Sequence, residues 1–170
     1  SGDIQNTERA IAKIATDLKE FENNQNDLIR QCALQGRRVY EGLQQMASSS
    51  RVTVYNGKEK KQMIRFDIPA EVDPVVAYAS IEDEIIKGTR ELVVKISENA
   101  DADVEIKKLA EKIIGSRNLL RKYIGKESIG VDAYKIDQNP QNAGYRSWER
   151  TQVNNSGAEK FVVYFAVILS

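Results

Sequence analysis

Apolar residues recur along the first quarter of the chain with the period of a helix that packs on one side. With heptad position a set at Ile4, the a series is Ile4, Ile11, Leu18, Gln25, Cys32, Val39 and Met46. The d series is Thr7, Ile14, Phe21, Leu28, Gln35 and Gly42. Nine of these thirteen positions are apolar, counting Cys32, and no proline interrupts residues 4–46. Six heptads of this kind predict a coiled-coil helix. The polar Gln25 and Gln35 fit the seam less well, although polar seam residues can fix register. A helix over 4–46 would be roughly 65 Å long at 1.5 Å per residue. That is longer than the diameter of the domain that the rest of the chain could form, so part of it should protrude and need a partner. The alternative is a helix packed along its own domain. Cys32 fits as a small apolar filler rather than as a reactive thiol.

The remaining pattern mixes short alternating runs with helical ones. Ser48, Ser49 and Ser50 mark the end of the long helix. Val52–Tyr55, the pair Asn56-Gly57 and the run Gln62–Ile68 read as a hairpin, because Asn-Gly favours the left-handed backbone of tight turns and Ile64, Phe66 and Ile68 alternate. Pro69 closes it. Asp73-Pro74 is a helix start, a capping aspartate followed by proline at the first helical position. Tyr78, Ile81, Ile85 and Leu92 carry that helix to about Ser97, with Gly88 a place where it could kink. Ile106, Leu109, Ile113, Leu120 and Ile124 predict a second helix over 103–124. Strands are expected over 129–136 and 145–153, the second carrying Trp148, with the turn-rich loop 138–144 between them. An apolar helix closes the chain.

Composition narrows the chemistry. The 170 residues contain 25 Lys+Arg, 25 Asp+Glu and no histidine, with 41% apolar residues. This is the make-up of a globular chain. Without histidine there is no Ser-His-Asp triad, no His general base and no His-ligated zinc. One cysteine makes neither an intramolecular disulfide nor a CxxC metal site, and no metal site is expected. The longest apolar run, Phe161–Leu169, has nine residues against the roughly 20 that span a bilayer. The N-terminus is polar and does not read as a signal peptide. A soluble, cytoplasmic protein with no membrane partner is the expectation. A neutral balance gives no global pull toward nucleic acid, so such binding needs a local patch. The second helix offers one: Lys107, Lys108, Lys112, Arg117, Arg121, Lys122 and Lys126 are expected to face few acids. They could be a solvated face. They could also contact a DNA backbone, with Lys107, Lys108, Lys112, Arg121 and Lys122 the candidates.

The most specific chemistry lies in Asn155-Ser156-Gly157-Ala158-Glu159-Lys160, followed by the apolar run Phe161–Leu169. Ser156 can cap a helix and Glu159, three residues on, completes a capping box. Gly157 permits close backbone approach. First-turn amides with the helix dipole behind them form an anion site. The plain alternative is an ordinary capping box with no ligand.

Ser-Gly-x-Glu-Lys before a long apolar helix resembles the signature motif of ABC-type ATPase heads. It is closest to the form in SMC and SbcC-like proteins, where Ser-Gly-Gly-Glu-Lys is usual and Ala158 replaces the second glycine. The order of coiled coil, strand-helix-strand region and signature also resembles the C-terminal lobe of such a head, with Muk-like and Wadjet-type bacterial SMC relatives the nearest in kind. The resemblance implies an α+β or α/β fold, with 1–48 a coiled-coil arm segment and 49–170 a head lobe carrying a hairpin, a helical pair and a buried signature helix. That lobe would be truncated after the signature helix, one part of a longer or divided protein.

The implied cofactors are ATP and Mg²⁺, bound mainly by another lobe. The sequence contains no Gly-x-x-x-x-Gly-Lys-Ser/Thr loop, and Gly125-Lys126-Glu127-Ser128 lacks its upstream glycine and its hydroxyl directly after Lys. This chain alone is therefore not expected to hydrolyse ATP, and no catalytic residue is assigned within it. The resemblance implies that Ser156, Gly157, Ala158 and Glu159 meet the γ-phosphate held on a second head. Implied partners are the N-terminal lobe of the same head, that second head in a homodimer, an antiparallel coiled-coil strand, a kleisin-type subunit and DNA. The implied role is nucleoid-associated: chromosome segregation, DNA repair or plasmid defence. The competing expectation is a coiled-coil scaffold without nucleotide chemistry.

Overall fold

A long stretch free of proline and rich in Ala, Glu, Gln, Lys and Leu favours helix, and in the computed structural model α1 runs Gly2–Ser49 without a break. The structure describes residues 2–54, 57–98 and 103–148. At 1.5 Å per residue, α1 is about 72 Å long. It ends at the serine cluster for a specific reason. Buried Ser50 donates its hydroxyl to the Ala47 carbonyl at 2.7 Å and accepts the Ile64 amide at 3.1 Å. Its carbonyl also accepts the Met63 amide at 3.0 Å. One side chain thus closes the helix and pins its end to the strand that begins 14 residues later.

Gly57, between the two strands of a hairpin, has φ 81°, a conformation glycine adopts without the Cβ penalty. The expected partner strand is divided, however. β1 (Arg51–Val54) pairs antiparallel with β2 (Glu59–Gln62), Thr53 opposite Lys60. The alternating segment itself forms β3 (Ile64–Phe66) in another sheet. The reason lies in side-chain polarity. Glu59-Lys60-Lys61-Gln62 can face water beside β1, whereas Met63 and Ile64 are almost fully buried and follow the core. Ser50 holds the corner between the two strands.

Asp73 and Pro74 start α2 (Pro74–Glu98) as the sequence predicts. The Asp73 carboxylate accepts the Val75 amide at 2.8 Å and the Val76 amide at 3.4 Å, satisfying donors that the first turn leaves open. Gly88 does not break α2. It is a place of close approach: a Cβ there would lie 2.6–2.9 Å from atoms of the Ile113 side chain.

The single helix expected over 103–124 is instead two, α3 (Asp103–Ile114) and α4 (Ser116–Ile124). Gly115 separates them in extended backbone, φ −63° and ψ 140°. Glycine is the weakest helix former after proline, and Asn118 completes the break by donating to the freed Ile113 carbonyl at 2.9 Å. Gly125, at φ 68°, ends α4 as a left-handed C-cap.

β4 (Val131–Lys135) lies at the centre of a three-stranded antiparallel sheet, between β3 and β5 (Gly144–Ser147). Ile64 opposes Ala133, and Tyr134 opposes Tyr145. A single-turn 3₁₀ helix at Pro140–Asn142 crosses the loop before β5. The fold is thus mixed helix and sheet, predominantly helical, with two small antiparallel sheets.

The main core sits between the C-terminal half of α1 and helices α2, α3 and α4, with Ile29, Ile81, Ile85 and Leu119 sealed from solvent. Gly36 lets α1 and α4 touch, for a Cβ there would lie 3.0 Å from the Leu119 carbonyl oxygen and 3.1 Å from Tyr123 Cβ. Tyr40 spans the layers. Its ring tilts against Tyr123 at 5.7 Å, its hydroxyl lies 2.9 Å from the Pro69 and Ala70 carbonyls, and Gln44 donates to it at 2.7 Å. A smaller core of Met63, Ile64 and Tyr134 lies under the three-stranded sheet.

Candidate functional site

The body grips α1 from Ile29 onward and leaves the rest of the helix in solvent. At 3.6 residues per turn, Ile11, Ile14, Leu18 and Phe21 point to the same side of α1 as Cys32, Gly36 and Leu43. One apolar stripe therefore runs the length of the helix. Its C-terminal half is covered: Ile29 is 1% exposed and Cys32 5%. Its N-terminal half is bare, with Ile4 68%, Ile14 65% and Phe21 51% exposed. The C-terminal half of α1 thus packs along its own domain, while the N-terminal half leaves its apolar stripe exposed. From Ile4 to Leu28 the bare stripe is about 36 Å long. Burial raises the Cys32 thiol above its ordinary value, so its thiolate is scarce and it is a core residue rather than a nucleophile.

The basic residues of 107–126 are not one face. They are shared between α3, α4 and the turn beyond, and acids from elsewhere in the chain meet several of them. Lys107 pairs with Glu111 at 3.9 Å, Lys122 with Glu84 at 3.2 Å and Lys126 with Asp67 at 2.6 Å; Arg121 pairs with Glu127. The expectation that these residues face few acids is corrected by this geometry: Glu111 and Glu127 are local, and Glu84 and Asp67 are brought in from distant parts of the chain. Among the described residues, no ion pair involves Lys108, Lys112 or Arg117.

Sequence reasoning missed the centre of this surface. Glu84, on α2, accepts from Asn118 at 2.9 Å and from Lys122, both on α4. Burial pushes its carboxyl up. The hydrogen bonds from Asn118 and Lys122 and the charges of Lys122 and Lys87 together outweigh that, so the carboxyl titrates below its ordinary value. Asn118 thereby ties α2 to the α3–α4 break. One acid of the run Glu82-Asp83-Glu84 and an Asn three residues after Gly115 carry no such signal when read locally. A cleft of about 290 Å³ borders this cluster, lined among others by Lys87, Gly88, Lys112 and Arg121. Among the described residues, the buried Arg121 Nε finds no hydrogen-bond partner.

Tyr134 and Tyr145 meet edge to face at 5.1 Å, and the Arg65 guanidinium lies 3.9 Å above the Tyr145 ring. This stacking fixes the sheet that leads toward the C-terminal segment. The signature-like residues Ser156, Gly157, Ala158 and Glu159, with the apolar run 161–169, lie outside the described residues. No described helix is long and apolar enough to cross a membrane. No protein-family model, curated protein or solved structure matches this chain.

Proposed function

We propose that this chain is the C-terminal lobe of an SMC-like ATPase head together with the root of its coiled-coil arm. The observation that carries the reading is the division of α1, with its apolar face packed on the body from Ile29 and bare from Ile4 to Leu28. A helix half embedded in an α+β body and half projecting from it is what an arm leaving a head requires. The sequence Ser156–Lys160, ahead of a nine-residue apolar run, supplies the chemical half of the argument.

In this reading Ser156 donates its hydroxyl to the γ-phosphate held on a second head, and the amides of Gly157 and Ala158 approach the same group. Glu159 holds the start of the helix behind them. ATP and Mg²⁺ are bound chiefly by a phosphate-loop lobe, which this sequence does not contain. Phosphate-dependent joining of two heads then moves arms around DNA in chromosome maintenance or defence. Lys108, Lys112 and Arg117 are the cations best placed for a DNA backbone, since acids already pair with Lys107, Arg121 and Lys122.

The test is nucleotide-dependent association. Combined with a phosphate-loop lobe and ATP, the chain should form a larger species by sedimentation, and Ser156→Arg should abolish it. The same bare stripe also suits a coiled-coil scaffold without nucleotide chemistry. That reading predicts association indifferent to ATP and to Ser156→Arg.

A further inference from the structure

The residues flanking the bare stripe of α1 carry a charge pattern of their own. Between Glu8 and Asn24, the positions beside the a and d seam are Glu8, Ala10, Ala15, Asp17, Glu22 and Asn24. Three are acidic and none is basic, in a chain whose total charge balances to zero. The nearby cations Arg9, Lys13 and Lys19 fall at outer heptad positions. Glu8, Asp17 and Glu22 are all exposed, and none forms an ion pair within the described residues.

Flanking charges decide which helix a seam accepts. A second copy in parallel register would set Asp17 against Glu22, and an antiparallel copy would again set acid against acid. Like charges at such sites oppose pairing, and opposite charges favour it by comparable amounts. The seam itself is specific too, with Thr7 and Gln25 interrupting Ile4, Ile11, Ile14, Leu18 and Phe21.

We propose that the bare stripe of α1 takes an amphipathic helix whose flanking positions carry Lys or Arg, and that it does not pair with a second copy of itself. The proposal rests on reading α1 as one strand of a two-helix arm and gives the chemistry of the other strand. That strand lies along about 36 Å of α1 and meets the body where the stripe becomes covered, near Ile29.

The experiment uses the full chain and two synthetic 28-residue heptad peptides, both with Ile and Leu at the seam. One carries Lys at every flanking position and the other Glu. Binding is read by fluorescence anisotropy at low salt, and the free chain is sized by sedimentation. The Lys peptide should bind about tenfold or more tighter than the Glu peptide, and the ratio should shrink in 1 M salt. A chain carrying Glu8→Lys, Asp17→Lys and Glu22→Lys, with helicity checked by circular dichroism, should reverse the preference. Equal affinities, a preference for the Glu peptide, binding of neither, or a free chain that dimerises at micromolar concentration would each overturn the proposal. ATP-dependent association lost while the peptide preference stands would instead count against the head-lobe reading alone.

Discussion

Gly36 and Gly42 lie six residues apart in α1, and the same substitution at the two should have opposite effects. At Gly42 an added Cβ meets nothing within 4 Å. Gly42→Ala therefore gains helix propensity alone and should stabilise by about 0.5–1 kcal/mol. At Gly36 the new methyl would lie 3.0 Å from the Leu119 carbonyl oxygen, 3.1 Å from Tyr123 Cβ and 3.2 Å from Ile81 Cδ1. Ile81 can shift its terminal methyl. The other two atoms are backbone, or fixed directly to it, in α4, so the helix must move as a body. Overpacking of this kind costs about 1–3 kcal/mol, which cancels or exceeds the propensity gain. Gly36→Ala should thus be neutral to destabilising by about 2 kcal/mol, and Gly36→Val clearly worse. Urea unfolding of the three variants, followed by circular dichroism at constant slope, measures the differences. If Gly36→Ala stabilises as much as Gly42→Ala, the close α1–α4 contact is wrong, and with it the anchoring of α1 on the body.

Three further outcomes follow from the same geometry. Ile81→Ala, at a site with no exposure, should cost about 2–5 kcal/mol in the same unfolding assay. Glu84 has a folded-state pKa held below its reference of 4.5, so its contribution to stability is present above that value and fades as pH falls through the folded pKa. Wild type should accordingly lose more stability between pH 5 and pH 3 than Glu84→Gln; parallel profiles would refute the Asn118–Glu84–Lys122 interlock. Cys32, buried with a raised thiol pKa, should react with a thiol reagent orders of magnitude more slowly in the native chain than in urea, and fast native labelling would contradict the seating of α1 on the body.

The elements that could be read from sequence were those with a local cause. The apolar stripe of α1, the Asp73-Pro74 start, the glycine turn at Gly57 and the serine stop each act within a few residues, and each appears where its pattern lies. The misplaced features depend on distant partners. Met63 and Ile64 leave the hairpin because β4 offers burial, and no pattern within 62–68 contains β4. Gly115 breaks a plausible helix because Asn118 then caps Ile113 and reaches Glu84 across the core. Gly88 is a packing contact rather than a kink because Ile113 happens to face it. The basic segment looked less opposed than it is partly because two of its four paired acids, Asp67 and Glu84, come from 59 and 38 residues earlier than the lysines they meet; the other two, Glu111 and Glu127, are local. The bare part of α1, by contrast, was foreseeable from length alone, since a helix that long outruns the body.

The proposed head-lobe role requires Ser156 to meet a nucleotide held elsewhere. The most direct measurement is ATP turnover by the chain combined with a phosphate-loop lobe, comparing wild type with Ser156→Arg. The account predicts turnover that requires both components and that Ser156→Arg abolishes while α1 still binds the Lys-flanked peptide. Turnover unchanged by Ser156→Arg would contradict it.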